Sequence, residues 1–182
     1  MRFRVMTARR SSVVAMAFGL CLAAAGPALA DGDGPSNSGG KTCPSGEVYD
    51  SRSNQCVKQQ VGVLPDAALT DYAYALAKAE RYDEALTVLN LLKNPNTAKA
   101  LNYRGYATRK LGRVDEGIGY YRKSVALDPH YAQVREYLGE AYVLKGDMAR
   151  AKAQLRAIKG ICGTTCEEYE DLAKAIAGGS PS

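Results

Sequence analysis

The sequence predicts an all-α fold: a solenoid of about three helix-turn-helix units followed by a capping helix. Three observations carry this. The middle of the 182-residue chain repeats itself at a spacing of 34 residues. Glycines and small residues fall at matching places in the second and third copies, as expected where helices turn or cross. The last stretch before the C terminus places apolar residues at helical spacing.

Residues 1–30 read as a secretory signal peptide. Arg2, Arg4, Arg9 and Arg10 form a positive start without an acidic residue, an apolar run follows from about Val13 to Ala25, and Ala28-Leu29-Ala30 supplies the small residues of a cleavage site. The apolar run is short for a bilayer span, and no later run could span either. The expectation is a soluble protein exported to the periplasm or beyond. Arg9-Arg10 matches a twin-arginine signal poorly, and Gly19-Leu20 ahead of Cys21 makes a poor lipidation site. An uncleaved amphipathic helix is the alternative reading. Cleavage after Ala30 leaves Cys43, Cys56, Cys162 and Cys166, four of the five cysteines. An even count in an exported chain favours disulfides.

Residues 31–63 read as a flexible linker carrying a Cys-framed loop. Residues 31–41 are Asp, Gly, Pro, Ser, Asn and Lys without periodicity. Val48-Tyr49 suggests a short extended piece, and Asp50 to Asn54 a turn. Cys43 and Cys56 could close this loop, a crosslink contributing about 3 kcal/mol by chain entropy. The loop is either a recognition knob presenting Tyr49 or a staple on a tail.

Residues 64–163 hold the repeats. At the 34-residue offset Gly105 matches Gly139, Gly112 matches Gly146, Tyr103 matches Tyr137, Ala107 matches Ala141, Gly117 matches Ala151 and Tyr121 matches Leu155. This period, with Leu138-Gly139, Tyr142, Gly146, Ala151 and Leu155 in order, resembles the tetratricopeptide repeat. Residues 98–131 carry the same pattern through Leu101, Gly105, Gly112, Gly117, Tyr121 and Pro129, with Arg104 where Leu is usual. Residues 132–165 lack the late Pro, and a weaker first copy at about 66–97 has Ala73, Tyr82, Ala85 and Leu89.

The resemblance implies a right-handed solenoid. Gly105 and Gly139 would lie where the second helix crosses closely, and Gly112 and Gly146 would end the first helices in a left-handed conformation. Asp128 would cap and Pro129 would enter the next helix. The resemblance also implies a groove on the first helices. It falls on Thr70 and Tyr74, then Lys99, Asn102, Tyr103, Tyr106, Arg109 and Lys110, then Gln133, Glu136, Tyr137 and Glu140. Such a groove would be rich in Tyr, basic in its centre and acidic toward its end. Replacing Tyr106 and Arg109 together is expected to abolish partner capture and spare the fold.

Residues 164–177 read as a capping helix and 178–182 as a tail. Thr165 followed by Glu168 suggests a capping box. Tyr169, Leu172, Ala173 and Ile176 then recur at helical spacing.

Chemistry has few candidates. Cys162-Gly163-Thr164-Thr165-Cys166 is either a structural staple or a thiol-redox or copper site. The single histidine, His130, falls beside a helix start, and Glu136 and Glu140 stand one turn apart. Nothing has the order of a catalytic triad, a phosphate loop or a dinucleotide fingerprint. No catalytic residue, metal or cofactor is therefore expected. The net charge of +5 rests on 24 Lys+Arg against 19 Asp+Glu. Loss of the four leader arginines leaves near-neutrality, which removes the hint of nucleic acid. The expected function is a non-catalytic module that binds a partner protein or peptide.

Overall fold

The computed structural model describes residues 41–178. The leader, residues 31–40 and the end of the tail lie outside the described residues.

Among the described residues, seven helices follow a short hairpin. The hairpin pairs β1 (Glu47–Asp50) antiparallel with β2 (Gln55–Lys58), Val48 opposite Val57 and Tyr49 opposite Cys56. Repeat one is α1 (Asp66–Lys78) and α2 (Tyr82–Leu89); repeat two is α3 (Ala98–Lys110) and α4 (Val114–Leu127). Repeat three is α5 (Ala132–Leu144) and α6 (Met148–Cys162), and α7 (Glu167–Ile176) follows. Each first helix packs on its own second helix and on the next repeat, and α7 packs on α5 and α6. No helix among the described residues is long and apolar enough to cross a membrane.

The three intra-repeat turns share one hydrogen-bond pattern. Arg81 N donates to Leu76 O at 2.9 Å, Arg113 N to Thr108 O at 3.2 Å, and Asp147 N to Tyr142 O at 2.8 Å. This six-to-one bond needs a left-handed residue after each first helix. Gly112 and Gly146 supply it at φ +83° and +71°. In repeat one Glu80 takes that place at φ +60°, a conformation that costs a residue with a Cβ about 1 kcal/mol.

The helix crossings depend on missing side chains. A Cβ on Gly105 would stand 2.6 Å from the Tyr121 ring and 3.1 Å from Gly117 O. Both neighbours belong to α4, as the repeat pattern implies. At Gly139 the intruder is different: a Cβ there would meet Leu172 of α7 at 2.4 Å. The capping helix, rather than α6, makes the nearest approach to that glycine. Leu172 is fully buried in consequence.

Several local expectations need correction. The Cys-framed segment is not a free linker over the described residues 41–63. Cys43 and Val48 are buried, Cys43 N donates to Tyr72 Oη at 2.8 Å, and Arg81 Nη1 donates to Cys43 O at 2.7 Å. The hairpin packs along the side of α1 that carries Ala68, Tyr72 and Ala75. The capping box at Thr165 does not form: Cys166 precedes α7 and no side chain caps it. Three acidic residues in its first turn, Glu167, Glu168 and Glu170, meet the helix dipole instead. Asp128 follows α4 and bonds the turn, its Oδ1 accepting from His130 N at 3.0 Å. Pro129 and exposed His130 sit in the connection, since α5 starts at Ala132.

These contacts predict a graded series in denaturant unfolding followed by circular dichroism. Gly105→Ala should lose about 1–3 kcal/mol, more than Gly139→Ala, because ring and backbone both oppose the new Cβ. Gly119→Ala, with nothing near its Cβ, should gain up to about 1 kcal/mol. Glu80→Gly should gain roughly 1 kcal/mol. Equal losses at Gly105 and Gly119 would refute the crossing geometry.

Candidate functional site

The side chains assigned to the groove do share one face of the first helices, but they fill much of it themselves. Tyr74 of α1 stacks on Tyr103 of α3, ring centroids 4.3 Å apart and planes at 14°. Tyr106 of α3 lies 5.0 Å from Tyr137 of α5. The Tyr74 and Tyr137 hydroxyls meet at 3.3 Å, so α1 reaches α5 across α3. Tyr103, Tyr106 and Tyr137 are buried, and Tyr74 is half-buried. Burial pushes the Tyr106 phenol up to about 12 and those of Tyr103 and Tyr137 higher still.

Arg109 is placed inside this layer. Its Nη2 pairs with Glu140 Oε2 at 3.1 Å, side-chain exposures being 2% and 1%. Its Nε donates to Tyr121 Oη at 3.2 Å, and its guanidinium lies 5.6 Å and 5.9 Å from the Tyr106 and Tyr137 ring centres. Arg109 and Glu140 thus neutralise each other internally instead of charging an open groove. Replacing Tyr106 and Arg109 together would therefore damage the fold, which corrects the expectation that the double change spares it. Asn102 is also buried and donates to Tyr131 Oη at 3.1 Å and Gln133 Oε1 at 3.0 Å. Thr70 is turned inward, its hydroxyl donating to Asp66 O at 2.7 Å.

What remains outside is a rim. Lys78 and Lys110 are exposed and hold their ammonium groups 5.9 Å and 5.5 Å from the Tyr106 ring centre. Burial of its stem and neighbouring Arg109 lower the Lys110 pKa. Lys99 is exposed, lies 5.9 Å from the Tyr103 ring centre and pairs with Asp71 at 2.5 Å. Between α1, α5 and α7 the face stays open as a cavity of about 130 Å³, lined by Tyr74, Lys78, Gln133, Glu136 and Tyr137 with Glu167, Glu168 and Asp171. Burial first, then Glu140 and the α7 carboxylates, push the Glu136 carboxyl up to about 8.

Sequence reasoning missed the α7 carboxylates and Lys78 as part of this face. Their signal was the acidic first turn of α7, which reads as dipole complementation when taken alone. It also missed a cleft of about 360 Å³ between the hairpin and α1, walled by Tyr49, Tyr72, Ala68 and Ala75. Cys43 with Cys56 and Cys162 with Cys166 lie at disulfide distance.

Comparisons with known proteins bear on the fold. The Yersinia enterocolitica type III secretion translocator chaperone SycD, in its alternative dimer, is 17% identical at a TM-score of 0.53, over 62% of this chain and 86% of that one. PcrH, crystallised in complex with the chaperone binding region of PopB, is 17% identical at a TM-score of 0.51, over 65% of this chain and 98% of that one. A MamA RS-1 double mutant is 26% identical at a TM-score of 0.48, and the match spans 53% of this chain and 55% of that one. No curated protein sequence matches the chain. The tetratricopeptide repeat family model matches residues 73–132 and again 104–163, together half of the chain. With three six-to-one turns and the crossing glycines in register beneath that double match, the chain belongs to the tetratricopeptide repeat family.

Proposed function

We propose that the protein is an exported adaptor that holds an extended or helical segment of a partner protein against the face of its first helices, with no chemistry of its own. The observation that carries this reading is the cavity between α1, α5 and α7, where Tyr74 and Tyr137 face the carboxylates of Glu167, Glu168 and Asp171. Tyrosine offers a large contact area, few rotors and one polar tip. The carboxylates suit a Lys or Arg of the partner, while Lys99 and Lys110 along the rim suit an acidic neighbour. PcrH with PopB, and SycD with a peptide of YopD, are complexes built on this fold; they support the reading by analogy. The leader-like residues 1–30 support placement in the bacterial periplasm or outside.

Charge reversal on the rim tests the surface. Lys99→Glu with Lys110→Glu should weaken partner capture roughly tenfold or more and shift the melting temperature by only a few degrees, since both are exposed and the Lys99–Asp71 pair lies at the surface. A photo-crosslinking residue at Lys78 should label the partner, and one at Lys152 of α6 should not. Unaltered capture, with labelling only from Lys152, would move the site to the opposite face.

The buried Glu136 predicts a pH dependence. Its carboxyl titrates near 8 when folded against an ordinary 4.5, so the folded state holds that proton more tightly. Its contribution to stability is complete below pH 4.5 and is lost as the pH rises through about 8. Glu136→Gln should flatten unfolding free energy against pH across that window. An unchanged slope in the variant would show that Glu136 ionises normally.

A further inference from the structure

We propose that, once reduced, Cys162 and Cys166 form with Glu168 a binding site for a zinc-class divalent cation at the joint between α6 and α7. Cys162 is the last residue of α6, and Cys166 immediately precedes α7. The two sulfurs and a Glu168 carboxylate oxygen all lie within 4.8 Å of one another. A tetrahedral cation with bonds of about 2.0–2.3 Å holds its ligand atoms closer than that, so little movement assembles the site. Three protein ligands leave one position for water, an arrangement zinc accepts with mixed sulfur and oxygen donors. Copper(I) favours further soft ligands. Beyond the leader the only methionine is Met148, which opens α6 at its opposite end.

The joint suits both charge states. The N-terminus of α7 favours a thiolate at Cys166, and the C-terminal carbonyls of α6 favour a cation beside Cys162. Cys162 is exposed and gives a reductant access, while Cys166 and Glu168 are half-buried. The bond closes a ring of only five residues, so opening it costs the fold less stability than opening a long-loop disulfide would. Fully buried Leu172 against Gly139, with buried Ala175, holds α7 to the last repeat independently of the bond. The cysteines therefore stay close after reduction.

The chemistry balances with a dithiol reductant. It gives two electrons and two protons, the S–S bond breaks, two thiols form, and the reductant leaves as its own disulfide. Cation binding then displaces the two thiol protons. Glu168 also lines the cavity between α1, α5 and α7. Binding would draw that carboxylate toward the joint, a link to the proposed adaptor face on which the site itself does not depend.

The test is cobalt(II) titration of the full exported chain, reduced with a phosphine under anaerobic conditions. Thiolate-to-cobalt charge-transfer absorption should appear and saturate at one cation per chain, and the oxidised protein should show none. Cys162→Ser and Cys166→Ser should each abolish it, while Cys43→Ser with Cys56→Ser should keep it. Glu168→Gln should lower the affinity roughly tenfold or more, a loss at least as large as for outer-shell partners. Circular dichroism checks that each variant is helical. Absence of the band in the reduced chain, its persistence in Cys166→Ser, or unchanged affinity in Glu168→Gln would overturn the proposal.

Discussion

Arg109 and Glu140 face each other at 3.1 Å with almost no contact with water, and the shared face of the three first helices is arranged around them. Charges of this kind cannot be left alone inside a protein. Removing one partner of a buried pair typically costs 3–5 kcal/mol, far more than the pair contributes over an apolar replacement. The pair therefore specifies more than it stabilises. It ties α3 to α5, fixes the register of repeat two on repeat three, and requires polar or polarisable neighbours. Tyr121 Oη accepts from Arg109 Nε, and the Tyr106 and Tyr137 rings flank its guanidinium. The layer of tyrosines on this face is in part the solvent of that ion pair.

The open polar chemistry of this face is displaced outward as a result. A face that spends its central tyrosines, Arg109 and Glu140 on itself keeps little open groove at its middle. Its remaining chemistry lies in the exposed lysines Lys78, Lys99 and Lys110 and in the carboxylates that α7 brings beside Glu136. The capping helix thus has two roles here. Leu172 fills the space over Gly139, and the first turn of α7 supplies Glu167 and Glu168 to the cavity.

The repeats were legible because their signals are steric. A helix crossing excludes a Cβ and a left-handed turn disfavours one, so Gly105, Gly112, Gly139 and Gly146 mark themselves at a fixed spacing. The family resemblance assigned the tyrosines to one face of the first helices. It could not say whether side chains from successive first helices touch, because the curvature of the array decides that. Tyr74 reaching Tyr137 across α3 is the consequence that mattered most. The partner of Gly139 was equally hidden, since a family pattern describes a repeat followed by another repeat and here α7 takes that place. The Cys-framed hairpin escaped because its anchors, Tyr72 and Arg81, lie 29 and 38 residues from Cys43. No local pattern records such contacts.

A double-mutant cycle across the buried pair tests the central claim most directly. Unfolding free energies would be measured for the parent, Arg109→Met, Glu140→Leu and the double variant. Each single change should lose about 3–5 kcal/mol, and the double should recover a large part of either loss because no unpaired charge is left behind. Two single losses under about 1 kcal/mol, or losses that add in the double variant, would contradict the account.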